Sequence, residues 1–313
     1  MTIKIGYLLP TRENVMRGEH GTKGLIDGAR RANDLGFDSV WVGDSLIARP
    51  RHDPLTLLAG IAAAVPNIDI GTAVLLPALR NPVVLAQQLA TIDQISEGRL
   101  IVGVGIAGDN PAIRAEFTAA GVPFDRRVGR LMEGVRLWRE LWRGEPVDWH
   151  GRWRVENGTL APVPFARPDR PDGPPIWLAA GVTAGIERAA KHFDGWFPIG
   201  PNAASFGEGN VHYRATAAAA GRTPTTALYL TIAIADDQAV GDQALDDYLE
   251  SYYNAPGAVM RKIQACHAGS LDSVMGYLQT CLAAGAQHLV LRFVGDHNSS
   301  LKQVAARRAE LSA

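Results

Sequence analysis

Cysteine is almost missing from this chain: Cys266 and Cys281 are the only two in 313 residues. Two thiols make no disulfide framework, and both are expected in helices, as small apolar residues of a cytoplasmic protein. Lysine is nearly as scarce, with Lys4, Lys23, Lys191, Lys262 and Lys302 the full set. None of these falls at the C-terminal end of an expected strand, which disfavours Schiff-base chemistry on a barrel. The metal spacings H-x-H, H-E-x-x-H and C-x-x-C are absent and the eight histidines are scattered, so no metal site is expected. A G-x-S-x-G elbow and a Walker phosphate loop are missing as well. No stretch reaches the roughly 18 apolar residues of a membrane span. The opening MTIKIGYLLP has neither the charged nor the long apolar region of a secretory signal. An excess of charge of one sign is lacking too. Lys plus Arg total 31 against 32 Asp plus Glu, so no field gathers nucleic acid or an anionic membrane. What remains is the expectation of a cytosolic, neutral enzyme or binding protein.

What is present is alternation of short β-branched runs with longer helical stretches. Strands are expected at residues 3–9, 37–42, 68–75, 99–104, 176–180, 195–199, 227–235 and 288–294. Helices are expected at 24–35, 54–65, 82–95, 111–119, 126–142, 184–191, 271–284 and 301–311. Pro54 and Pro82 suit a first helical turn, and Gly36 and Gly98 suit helix ends. Leu131, Val135, Trp138 and Leu141 recur at helical spacing and read as core. Eight strands joined by helical crossovers fit a closed (β/α)8 TIM barrel of one domain, residues 1–313, although the apolar runs alone also fit an open doubly wound sheet. The Pro/Gly-rich segment 144–175 interrupts the rhythm as an insertion, with a small hairpin expected around His150–Gly151.

Active sites of such barrels lie at the C-terminal ends of the strands. The first strand runs into a polar loop with Arg12, Glu13 and His20. The second ends in Gly43–Asp44–Ser45 and leads to Arg49, Arg51 and His52. The fourth ends in GVGIAGDN, 103–110, and the last in Gly295–Asp296–His297. A bare Gly-x-Gly there is also an ordinary tight turn. Asp44 reads either as a cap on backbone N–H groups or as a base or ligand anchor. After the fifth run, Ala180–Gly181–Val182–Thr183 open a helix whose free N–H groups suit a phosphate, with Thr183 as its cap or as a direct phosphate ligand.

Several strings resemble the luciferase-like monooxygenases: GFDSVWVGDS at 36–45, DPLTLLAGIAA from Asp53, and NIDIGTAVLLPALRNPVVLAQQLATIDQISEGRLIVGVG at 67–105. Glu116–Phe117, Gly121–Val122–Pro123–Phe124, Arg126–Arg127 and PPIWLAAGVTAGIERAAKHFDGWFP at 174–198 continue the likeness. It covers about the first 200 residues in order, and the final third is less diagnostic. The resemblance implies a flavin or deazaflavin ring over the strand ends and a non-proline cis peptide in the third strand, matching Thr72 and Ala73. It places Asp44 near ring or substrate, Gly105, Ile106 and Ala107 along the fourth strand, and the phosphate at Ala180, Gly181, Val182 and Thr183. Where many members carry His, this chain has Ser45, which hydrogen-bonds but does not titrate near neutrality. His20, His52 or His297 are then the imidazoles available nearby, and Asp44, Ser45, His20 and His297 are the catalytic candidates.

The resemblance leaves two chemistries open. One is a monooxygenase using reduced FMN and molecular oxygen, served by a separate flavin reductase; the other is hydride transfer with coenzyme F420. The oxygenase is preferred here, while clustered Arg12, Arg49 and Arg51 near the mouth would favour the acidic tail of F420. A non-catalytic flavin-binding barrel and a phosphorylated-metabolite isomerase with Asp296 as base are the rivals from other classes. A homodimer is expected from the resemblance.

Overall fold

The computed structural model describes residues 3–168 and 172–311. The first half is β1 (Lys4–Leu8), α1 (Thr11–Met16), α2 (Lys23–Asp34), β2 (Ser39–Val42), α3 (Pro54–Ala64), β3 (Asp69–Thr72), α4 (Pro82–Ile95) and β4 (Leu100–Val104). Helices α5 (Pro111–Ala119) and α6 (Arg127–Leu141) lead to an antiparallel hairpin, β5 (Val147–His150) and β6 (Arg154–Gly158). The chain continues through β7 (Ile176–Leu178), α7 (Thr183–His192), β8 (Gly195–Trp196), α8 (Ala203–Ala219), β9 (Thr225–Ile234) and α9 (Gln238–Tyr253). It finishes with α10 (Gly257–Met260), β10 (Cys266–Gly269), α11 (Leu271–Ala283), β11 (His288–Phe293) and α12 (His297–Ala306).

Strands β1, β2, β3, β4, β7, β8, β9 and β11 pair in parallel in that order, and β11 returns to β1, so the sheet closes on itself. An open sheet is thereby excluded, and each strand end faces the same mouth. Residues from six of the eight strands, with Phe197 just beyond β8, fill the barrel: Leu8, Trp41, Ile101, Trp177, Tyr229 and Val290 among them. Trp41 is fully buried and meets Trp177 at 5.4 Å and Phe197 at 5.2 Å between ring centroids. Room for it comes from its neighbours: a Cβ on Gly71, its partner in β3, would lie 2.4 Å from the indole, and one on Gly6 would lie 2.5 Å from Nε1. A large buried side chain of this kind is worth roughly 3–5 kcal/mol against alanine.

Helix starts follow local chemistry. Asp53, Asn81, Asn110, Asn202, Asp237 and Ser270 each accept a backbone N–H of the first turn of α3, α4, α5, α8, α9 and α11. The last helix is expected as one piece over 301–311, but Asp296 caps Asn298 and Ser299 at 2.8 and 3.2 Å and starts α12 four residues earlier. A separate 3-10 turn, Arg308–Leu311, follows. Cys281 lies in α11 as expected; Cys266 does not lie in a helix but opens β10, opposite Thr231 of β9. The loop after the first strand contains the short helix α1. The insertion carries the hairpin expected at His150–Gly151, tied to α6 where Glu133 accepts the N–H of Arg152 at 2.6 Å. Among the described residues no helix is long and apolar enough to cross a membrane.

Candidate functional site at the barrel mouth

A shelf of backbone and apolar side chains crosses the mouth from β3 to β4. The cis peptide falls at Ala73–Val74, one residue beyond the Thr72–Ala73 pair expected. Thr72 is fully buried and its hydroxyl donates to Gly103 O at 2.7 Å, while Leu75 N and Gly105 N bond back across the two segments. The glycines of GVGIAG serve this close approach: a Cβ on Gly103 would lie 2.1 Å from Thr72 O, and one on Gly105 would lie 2.7 Å from a Val74 methyl carbon. Ile106 packs towards the core, and Ala107 turns the chain with a left-handed φ of 61°.

Asp44 and Ser45, at the end of β2, both hold neighbouring backbone in place. Asp44 has a side chain 1% exposed, and Arg80 clamps it with bonds of 2.5 and 2.9 Å while Leu76 N donates at 2.9 Å. Burial opposes the charge on Arg80, but Asp44 outweighs it and the net pKa shift is upward. The clamp fixes the segment that follows the shelf. Ser45 Oγ donates to Glu116 Oε1 at 2.6 Å and accepts Arg49 N at 2.9 Å. The same Glu116 oxygen takes Leu46 N, Ile47 N and Ala48 N at 2.5, 2.9 and 3.1 Å. Three successive amides wrapped on one buried carboxylate set the path of the loop that carries Arg49 and Arg51.

Ala180, Gly181, Val182 and Thr183 form the junction of β7 and α7. Val182 occupies the N-cap position and Thr183 is the first helical residue, so Thr183 is not the cap, and no side chain caps this helix. Its first amides therefore carry the unpaired N–H groups and positive dipole end of a helix start. Gly181 is exposed, and a Cβ on it would meet nothing within 4 Å, which leaves space for a ligand.

Across the mouth lies a cluster of arginine and tyrosine. Arg292, fully buried at the end of β11, sits 4.2 Å from the Tyr252 ring centroid and 5.1–5.3 Å from those of Tyr229, Tyr248 and Tyr253. It donates to Thr231 Oγ1, Gln264 Oε1 and the Tyr253 hydroxyl. Burial opposes its charge, the surrounding tyrosines favour it, and the net pKa shift is strongly upward. Burial pushes the phenols of Tyr229 and Tyr248 well above their ordinary range, so they stay neutral. Arg12 and Arg51 lie over Tyr252 at 5.1 and 5.8 Å, and Arg49 over Tyr253 at 4.9 Å. The Tyr248 hydroxyl donates to Glu13.

The remaining candidates lie elsewhere. His20 is exposed in the loop before α2, and its carbonyl bonds the ring of His52 at 3.0 Å. His297 begins α12, where its Nδ1 lies 2.8 Å from the hydroxyl of Tyr7, a residue packed in the layer between barrel and helices. Burial lowers the pKa of His297. The structure thus gathers Asp44, Ser45, the shelf and the β7–α7 junction around one mouth, while His20 is exposed before α2 and His297 is bonded to Tyr7 at the start of α12. Among the described residues no group of acidic, His and Cys side chains is arranged to hold a metal.

Sequence reasoning missed the tyrosines of α9 and the weight of Arg292 and Glu116. The signal for Arg292 was present: HLVLRF puts an arginine inside an otherwise apolar parallel strand, where an unpaired charge needs a special environment.

A family model for luciferase-like monooxygenases matches residues 3–311. The chain belongs to that family. Among its relatives is an F420-dependent glucose-6-phosphate dehydrogenase of Amycolatopsis mediterranei, 33% identical over 201 residues, 62% of this chain and 56% of the relative. The matched region is thus little more than half the length of such curated relatives. Among solved structures, monooxygenase RslO1 from Streptomyces bottropensis is 25% identical with a TM-score of 0.83, over 99% of this chain and 100% of that one. An F420-dependent secondary alcohol dehydrogenase in complex with an F420-acetone adduct superposes with a TM-score of 0.82 at 19% identity, over 98% of each chain, which speaks for the fold. The chain therefore has the luciferase-like barrel form of that family.

Proposed function

We propose that this luciferase-like oxidoreductase works by hydride transfer with coenzyme F420, the alternative to the FMN oxygenase preferred from sequence alone. The observation that carries a ring-and-phosphate cofactor is the pairing of the uncapped α7 start, open at Gly181, with the shelf at Val74, Gly105 and Ile106. The choice of F420 rests on the F420-dependent relatives, not on the arginines. Arg12 and Arg51 follow the first and second strands of the barrel, whereas the phosphate turn follows the fifth, half a turn around the mouth. They are thus poorly placed to take an acidic tail that extends from that turn.

F420, when bound, supplies a ring carbon that accepts or gives a hydride. The chain's own residues do the rest. The amides of residues 181–184 hold the phosphate, the shelf supports the ring face, and the Asp44–Arg80 clamp keeps the shelf in position. Glu13 with the Tyr248 hydroxyl, and Ser45 within its Glu116 network, are the groups placed to orient or hold a proton near the substrate. A reduced-FMN monooxygenase is the second reading, favoured by the likeness to RslO1 over nearly the whole chain; it would require oxygen and a flavin reductase.

Titration of the protein with F420 and with FMN, each oxidised and reduced, separates the two by ring fluorescence. Tighter binding of F420, with oxygen-independent turnover in a panel of alcohols and aldehydes, is the expected result. Selective binding of reduced FMN would transfer the assignment to the oxygenase, and binding of neither would refute both.

A further inference from the structure

Three guanidinium groups stand at one side of the mouth, and the carboxylate near them, Glu13, forms a salt bridge with none of them among the described residues. Among the described residues Arg12, Arg49 and Arg51 form no ion pair, whereas Arg80, at the same mouth, is clamped by Asp44. Arg12 uses Nε on Tyr252 O at 3.0 Å, and Arg51 uses Nε on Arg49 O at 3.1 Å and one Nη on the Tyr252 hydroxyl at 3.3 Å. Their tyrosine contacts hold the groups in place without removing their charge. Arg292 adds a fourth cation beneath the platform, also without a carboxylate partner, and the carboxylate sharing this space is Glu13. Arg51 reaches the ring shelf itself: a Cβ on Gly43 would lie 2.1 Å from its Nη1 and 3.5 Å from Ala73 O.

We infer that the substrate carries an oxyanion, a carboxylate or phosphate, and that Arg12, Arg49 and Arg51 hold it across the mouth from the phosphate turn. This names the substrate class for the oxidoreductase reading above and rests on that reading for where the ring lies. The cations repel one another, and a single oxyanion between them relieves that repulsion while accepting charge-assisted bonds from the free guanidinium nitrogens. A neutral substrate would leave three cations facing the single carboxylate of Glu13. The anchored group also sets which carbon of the substrate meets the shelf beside Gly43 and Ala73.

The test uses inorganic phosphate as probe and Gly181→Asp protein as host, because that substitution repels phosphate from the turn and leaves the arginines intact. Calorimetric titration at low salt is expected to show saturable binding, weakened about tenfold or more when Arg49→Gln and Arg51→Gln are added. Arg49→Lys with Arg51→Lys should recover part of the affinity, which separates lost charge from lost fold. F420 affinity of the Arg49→Gln protein, with residue 181 native, should stay within about twofold of the parent. Absence of saturable phosphate binding in the host, or equal binding with and without the arginines, overturns the inference. So does an equal loss of F420 affinity, which would assign the arginines to the cofactor. Failure of the native protein to bind any ring cofactor would instead strike the function proposed above, and the phosphate titration would still decide the oxyanion site.

Discussion

Replacing Glu116 by alanine tests how the mouth is built. The wild-type carboxylate is fully buried and one of its oxygens receives the Ser45 hydroxyl and three consecutive amides. Hydrogen bonds to a charged acceptor are worth about 1.5–3 kcal/mol each, but four on one atom do not add. Leu46 and Ile47 are exposed, so the freed loop can turn its amides to water. The expected loss is therefore about 3–5 kcal/mol, the usual cost of removing one member of a buried charged network. That corresponds to a fall of roughly 5–8 °C in Tm for a chain of this size. Glu116→Gln keeps one acceptor but sets an NH2 where the second oxygen has no partner, and about 1–3 kcal/mol is expected. Denaturant unfolding gives the magnitudes, and amide exchange at residues 46–48 reports the loop directly. A loss below about 1 kcal/mol for alanine, with exchange at those amides unchanged, would refute the idea that Glu116 organises this loop.

Other perturbations follow from the same geometry. Gly181→Asp should fold normally, since its Cβ meets nothing, yet weaken cofactor binding at least tenfold; about 1 kcal/mol of repulsion per unit of phosphate charge is expected at ~5 Å, and fluorescence titration measures it. His288 is buried inside the barrel beside Ser39, and burial, with a smaller push from Lys4, lowers its pKa to about 3. A depressed histidine pKa means the unfolded chain binds the extra proton. Its contribution is thus complete above about pH 6.5 and lost as pH falls towards 3, by up to about 1.4 kcal/mol per pH unit. Unfolding of His288→Gln between pH 7 and 4 should show a flatter pH dependence than wild type; parallel curves would contradict this. Gly103→Ala drives a Cβ into Thr72 carbonyl oxygen and should cost about 2 kcal/mol or more, whereas Gly43→Ala meets the end of the Arg51 side chain rather than backbone at close range and should cost less than Gly103→Ala, both read by urea unfolding.

The barrel was legible where local chemistry and global fold agree. Helix α4 begins and ends as expected because Asn81 and Pro82 mark its start and Gly98 its exit. Strand β10 was not, since Cys266–Gly269 is four residues without a β-branched side chain, and its pairing with the tail of β9 is a tertiary event. The cis bond lay within one residue of its expected place, and Thr183 within one position of the cap. At the site, position along the strand ends was readable but engagement was not. Nothing local shows that Asp44 is clamped by Arg80 or that Ser45 points at a glutamate 71 residues away. Tyr248 and Tyr252 recur at an interval of four, which reads as ordinary helix core until Arg292 arrives from a different strand to lie among them.

The central claim is that the mouth holds a phosphate-bearing ring cofactor between the α7 start and the β3–β4 shelf. A crystal structure of the protein soaked with F420 tests it most directly. The account predicts phosphate density at the amides of residues 181–184 and the ring against Val74 and Ile106. A ring bound away from the shelf, or a phosphate held by Arg12, Arg49 and Arg51 with the α7 start empty, would contradict it.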